Sequence, residues 1–185
     1  VLRPASLAAM RLFLALYPPV ASAHALRSAL DGLALPPHRT TALDQLHLTV
    51  LFLGDVAARE LPALQESVER AAAAVEPFEL APERLAALPE QGLPRLIAAV
   101  TDAPRPLLEL RRRLVARLAA NKVKSSEFLP HFTLCRFGAP VKFELPSSAL
   151  RCAPFRVDAL SLQDSVLRQD GAEHRQLARF VLGSS

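Results

Sequence analysis

His47-Leu48-Thr49-Val50-Leu51-Phe52-Leu53-Gly54 and His131-Phe132-Thr133-Leu134-Cys135-Arg136-Phe137-Gly138 are two copies of one pattern. Both read His, apolar, Thr, apolar, two variable positions, apolar, Gly. In a strand, residues i and i+2 point to the same face. Each copy therefore presents an imidazole and a hydroxyl side by side, with apolar neighbours turned the other way. Two such pairs facing each other across a cleft offer two proton-transfer groups and two hydrogen-bond donors.

Working outward, Arg11 to Tyr17 reads as a strand apolar on both sides, stopped by Pro18-Pro19. Val20 to Leu30 is Ala- and Leu-rich and helical, with Asp31-Gly32 ending it. Pro36 to Asp44 is a loop, and Gly54-Asp55 closes the first repeat strand. Leu61, Leu64, Val68, Ala72 and Val75 fall at helical spacing within Ala57 to Val75. Glu76 to Leu88 is a strand pair or one irregular strand, Gln91-Gly92 a turn, and Arg95 to Thr101 a strand. Pro104 to Asn121 is a second long helix with proline in its first turn. Lys122 to Leu129 is a polar loop leading to Pro130 and the second repeat. Arg156 to Leu167 and Arg175 to Leu182 alternate as strands about a turn at Gln169-Asp170-Gly171. The order of elements gives an α+β fold. Each half carries a long helix near a His-x-Thr strand, which predicts two similar lobes with antiparallel sheets lining a central cleft and helices outside.

Composition narrows the possibilities. The 185 residues suit one domain, and an apolar fraction of 51% is enough for a real core. Val1 to Ala9 reads as a leader before Met10, and residues 10–185 as a single bilobal domain. A net charge of +4 suits a phosphate-bearing or nucleic-acid ligand. Trp is absent and Tyr occurs once, so a long base-stacking groove is disfavoured. The two cysteines, Cys135 and Cys152, form neither a zinc pattern nor a disulfide framework and suit a reducing cytoplasm. Cys135 shares the parity of His131, but a free cysteine in a strand is more often a small buried hydrophobe. Arg11 to Tyr17 followed by Ala21-Ser22-Ala23 imitates a signal peptide, yet its apolar run is short and broken by proline. His24, His38 and His174 read as surface or loop residues. The cluster Arg111-Arg112-Arg113 reads as a solvated helix face.

The paired motifs His47-Leu48-Thr49-Val50 and His131-Phe132-Thr133-Leu134, with the opening strand Arg11-Leu12-Phe13-Leu14-Ala15-Leu16, resemble the 2H phosphoesterase superfamily. The similarity is to its bacterial RNA 2′,3′-cyclic phosphodiesterase, or 2′-5′ RNA ligase, family. Pro130, Arg136 and Leu177-Ala178-Arg179-Phe180 also fit. Leu129 stands where relatives often carry a basic residue, and His174 where they often carry Tyr.

The resemblance implies hydrolysis of RNA 2′,3′-cyclic phosphate ends to 2′-phosphates, with 2′-5′ ligation as the reverse reaction. Two imidazoles suit such chemistry because their ordinary pKa lies near 6.5. By similarity, His47 is the proton donor to the leaving oxygen and His131 the proton acceptor from water. Thr49 and Thr133 would donate hydrogen bonds to the non-bridging oxygens. Arg136 is a candidate phosphate clamp. Strict alternation puts it on the wrong face, so the strand must twist or bulge to bring it in. Phe13 is a candidate to stack on a base, although an aromatic in a buried strand is ordinarily core. Three convergent ligands are wanting, so no metal and no cofactor is expected. The expected partner is an RNA with a 2′,3′-cyclic phosphate end, such as a tRNA fragment or oligonucleotide, bound by a monomer. The competing reading is a non-catalytic RNA-binding module on the same fold.

Overall fold

The computed structural model of the chain describes residues 9–118, 128–146, 150–168 and 171–184. In chain order its elements are β1 (Ala9–Leu16), α1 (Val20–Ser28), β2 (His38–Thr40), β3 (Leu48–Ala57), α2 (Leu61–Ala73), β4 (Phe78–Leu80), β5 (Pro82–Leu88), β6 (Leu96–Thr101), α3 (Arg105–Leu118), β7 (His131–Phe137), β8 (Phe155–Val157), β9 (Ala159–Arg168) and β10 (Gly171–Val181). The α+β reading holds.

Several boundaries differ from expectation; α2 begins at Leu61 and β10 at Gly171, against the expected Ala57 and Arg175. The loop after α1 contains the strand β2, whose three side chains are all exposed and so carry no alternation. Gly54 does not end β3. Its φ of 74° is open to glycine without strain, and the strand continues to Ala57. The strand expected over Arg156 to Leu167 is split at Asp158 into β8 and β9. The expected leader and the polar loop before Leu129 fall largely outside the described residues, as do Gln169 and Asp170 of the last turn; Ala9 is the first residue of β1.

One antiparallel sheet runs β10-β9-β1-β3-β7-β6-β5, with β2 on the free edge of β7, and β4 pairs β8 in a separate ribbon. The repeat strands β3 and β7 are its two central members. Ladder pairing between them is limited to Leu48 opposite Phe132, so the two halves of the sheet join at one point and splay from it. Each repeat strand has an outer neighbour of its own half: β1 for β3, and β6 for β7.

Burial sorts the faces. Leu12, Leu14 and Leu16 of β1, Leu48, Val50 and Leu51 of β3, and Phe132 and Leu134 of β7 join one core with Val68, Ala71 and Ala72 of α2. Leu107, Leu110 and Leu114 of α3, spaced by three and four, complete it. Removing a fully buried ring such as Phe132 by Phe132→Ala costs about 3–5 kcal/mol. The opposite face has a smaller apolar floor. Ala15 lies opposite Thr49 and Ala98 opposite Thr133, while Phe13 lies opposite Phe52 and Val100 opposite His131. An alanine beside each motif threonine leaves room over the centre of the sheet.

Candidate active site

His47 and His131 are held in the same way. Nδ1 of His47 donates to the Gln45 carbonyl at 2.7 Å, and Nδ1 of His131 donates to the Leu129 carbonyl at 2.8 Å. A carbonyl can only accept, so each neutral ring carries its hydrogen on Nδ1. Nε2 is then the atom free to take or give a proton. The antiparallel register through Leu48 and Phe132 sets the rest. One step along each strand, His47 falls across from Thr133 and His131 across from Thr49. The two histidines and two threonines thus form a diagonal square about the junction of the halves.

The surroundings of the two rings differ. The His47 ring lies 5.1 Å from the Phe13 ring, 5.8 Å from Tyr17 and 4.8 Å, edge-on, from His174. Burial in this box lowers its pKa to about 4, opposed by the Gln45 carbonyl and assisted by His174, Arg136 and His131. Unliganded His47 is therefore neutral at pH 7. Burial, followed by the charge of Asp44, pushes the Tyr17 phenol up to about 12. His174 is no loop residue. It belongs to β10, packs on Phe13 at 4.8 Å, and is held below the ordinary histidine range by burial and then by Arg136. Gln45 ties these parts together: its side-chain oxygen accepts the backbone N–H of His174 at 3.0 Å while its carbonyl orients His47.

The parity problem at Arg136 is solved by a bulge. On β6, Ala98 pairs Thr133 and the next residue, Ile97, pairs Cys135, so Leu134 is the extra residue. Leu134 and Cys135 are both buried, and Arg136 returns to the face of His131 and Thr133. The first copy has the same device. Ala15 pairs Thr49, Leu14 pairs Leu51, and Val50 is the extra residue. Phe52, the counterpart of Arg136, is turned outward and 70% exposed.

A cleft of about 1180 Å³ has His47, Thr133, Arg136 and His174 in its wall and β2 along one side, while His131 and Thr49 lie outside its lining. Phe13 is only 2% exposed and offers no open face to a base; it is the floor under His47. Cys135 is fully buried and its thiol is pushed up by burial, the state of a packed hydrophobe and not of a nucleophile. Arg112 and Arg113 pair with Glu109, and Arg111 lies over Phe128 at 4.6 Å. Among the described residues no helix is long and apolar enough to cross a membrane.

The model of the 2′-5′ RNA ligase superfamily matches residues 16–167. The chain belongs to this superfamily. A relative from Thermus thermophilus, called RNA 2′,3′-cyclic phosphodiesterase, is 31% identical over 80% of this chain and 74% of its own length. A crystal structure from Thermus thermophilus superposes with a TM-score of 0.82 at 28% identity, covering 94% of this chain and 98% of the other. The E. coli LigT structure in complex with 3′-AMP gives 0.73 at 26% identity, covering 95% and 99%. The phosphoesterase character of the 2′-5′ RNA ligase superfamily accords with the His and Thr square.

Sequence reasoning did not single out Gln45, Tyr17, Phe52 or Arg39 for the site and placed His174 elsewhere. Phe52 was legible, since it holds the same place in its octapeptide as Arg136. Gln45 and Leu129 also share a place, two residues before each histidine, but a carbonyl leaves no trace in side-chain identity.

Proposed function

We propose that this member of the 2′-5′ RNA ligase superfamily opens 2′,3′-cyclic phosphate ends of RNA to 2′-phosphates by two-histidine acid/base catalysis without a metal. The observation that carries this is the diagonal square of His47, Thr133, His131 and Thr49. Each imidazole has its Nδ1 occupied and its Nε2 free. A phosphorus atom at the centre has one imidazole on either side and a hydroxyl beside each. That arrangement suits in-line displacement, with entering and leaving oxygens on opposite sides.

His131 Nε2 takes a proton from water as the water oxygen bonds to phosphorus. The bond from phosphorus to the 3′-oxygen breaks, and His47 Nε2 delivers a proton to that oxygen. Thr49 and Thr133 donate to the non-bridging oxygens as charge gathers there. His47 must first gain the proton it lacks at neutral pH, with its pKa about 4 in the free protein. The phosphate anion itself favours the imidazolium, so substrate binding and protonation of His47 are coupled. Arg136 adds positive charge on the same face, and exposed Phe52 offers a ring to the terminal base. Incubation of nucleoside 2′,3′-cyclic phosphates with the protein, followed by product analysis, tests this. The expected product is the 2′-phosphate, and a 5′-hydroxyl acceptor arm reads the reverse, joining direction. Absence of ring opening across the panel would remove the proposal.

A further inference from the structure

Strand β2 is an odd element: three residues, all exposed, inserted in a loop. It is nevertheless fixed in register. His38 pairs Phe137, Arg39 pairs Arg136 and Thr40 pairs Cys135, and the N–H of Thr41 donates to the carbonyl of the bulged Leu134 at 2.8 Å. Arg39 therefore stands directly across from Arg136 on the cleft side, and both line the cleft. Directly opposed cross-strand residues have Cβ atoms roughly 4.5–5.5 Å apart, and like charges placed so repel. Several other arginines are paired with carboxylates, as Arg84 with Glu90, Arg113 with Glu109, Arg175 with Asp164 and Arg179 with Asp158. Neither Arg39 nor Arg136 has a carboxylate within ion-pair distance among the described residues, although Asp44 and Glu173 also line the cleft. The backbone is thus built to hold two guanidinium groups together, against their repulsion, a few residues from Thr133.

We infer that Arg39 and Arg136 form a seat for a second phosphate, the phosphodiester on the 5′ side of the reacting nucleotide. The inference rests on the proposed reaction, since it takes the first phosphate to lie between His47 and His131. Two planar forks can hold the oxygens of one phosphodiester and relieve their mutual repulsion. The cleft runs without interruption from His47 and Thr133 to Arg136, Arg39 and Thr40. A strand of RNA entering by its 3′ end would place its last internal phosphate on the pair. The site then distinguishes an RNA end from a free cyclic nucleoside phosphate.

Three substrates separate the sources of that phosphate: a dinucleotide ending in a 2′,3′-cyclic phosphate, a nucleoside 2′,3′-cyclic phosphate, and the same nucleoside with an added 5′-monophosphate. The dinucleotide-to-nucleoside ratio of kcat/KM should be about tenfold in favour of the dinucleotide at low salt, the size of one charge-assisted contact. Arg39→Ala should bring the ratio close to one, and Arg39→Lys should restore part of it. The melting temperature of Arg39→Ala should not fall, because the substitution removes a repulsion; a merely structural role would lower it. A ratio unaltered by Arg39→Ala overturns the inference. If only the 5′-monophosphate compound responds, the seat takes a terminal phosphate and the diester assignment is wrong. Equilibrium binding of the corresponding 2′-phosphate dinucleotide and nucleoside gives the same ratio without turnover. Failure of ring opening would then strike the proposed reaction alone, and an unaltered binding ratio the seat alone.

Discussion

The two copies of the octapeptide share a backbone and differ in what is packed around it. Both fix their histidine by Nδ1 to the carbonyl two residues back. Both bulge after the threonine, at Val50 and at Leu134, and both turn the next-but-one residue outward. In the first half the ring is boxed by Phe13, Tyr17 and His174, and the outward residue is Phe52. In the second half the outward residue is Arg136, opposed by Arg39. The same local backbone thus lies in two different surroundings. In the first half an enclosed imidazole is held well below its ordinary range, and in the second two opposed arginines gather positive charge.

The largest effect that can break this comparison is loss of either histidine. His47→Ala and His131→Ala should each lower kcat on a cyclic phosphate by about a thousandfold. The double variant should be little worse than either single one, because the two act as a unit. Strict additivity would mean that they do not share one step. Thr49→Val and Thr133→Val come next, at about a hundredfold each in kcat with little change in KM. Equal losses would show that the square is used symmetrically, and a loss in one alone would mark a single oxygen-binding side.

The outward residues sharpen the contrast. Arg136→Ala and Phe52→Ala should each raise KM about tenfold. Only the arginine's contribution should fade as salt is raised, since a Debye length of about 8 Å at physiological ionic strength screens exposed charge. Salt dependence in both would make the halves alike.

The subtlest difference is in protons. His47, at about 4 in the free protein, should titrate at a higher pH once inorganic phosphate is bound, as read from its imidazole NMR signals. Phosphate affinity at this group should accordingly weaken as pH rises from the free value through the bound one. The unfolded chain holds this proton up to about pH 6.5. Between pH 4 and that value the unfolded state therefore binds more protons, so folding stability should rise with pH and level off above it. His174→Phe should move the His47 titration upward, because it removes a neighbour that disfavours the charged ring.

Much of this was legible in the sequence, and the exceptions have physical reasons. Alternation and helical spacing located the long strands and the two long helices, because one face of each is buried. Strand β2 is exposed throughout and has no buried face to betray it. The bulges could be anticipated only as a requirement of Arg136. Val50-Leu51 and Leu134-Cys135 are pairs of buried neighbours, which reads equally as a strand apolar on both sides. His174 was misplaced because its position depends on β10 pairing β9 and β9 pairing β1, then on a bond to Gln45 from the far end of the chain. The motif residues could be named because their spacing is local; their companions could not, because they are assembled by register.

The most direct measurement is phosphorus NMR of a nucleoside 2′,3′-cyclic phosphate incubated with the protein in excess EDTA, beside the His47→Ala and His131→Ala variants. Two-histidine catalysis with His47 as donor to the 3′-oxygen requires conversion to the 2′-phosphate alone by the unaltered protein, and next to none by either variant. Conversion to the 3′-phosphate, loss of activity in EDTA, or full rates in both variants would contradict it.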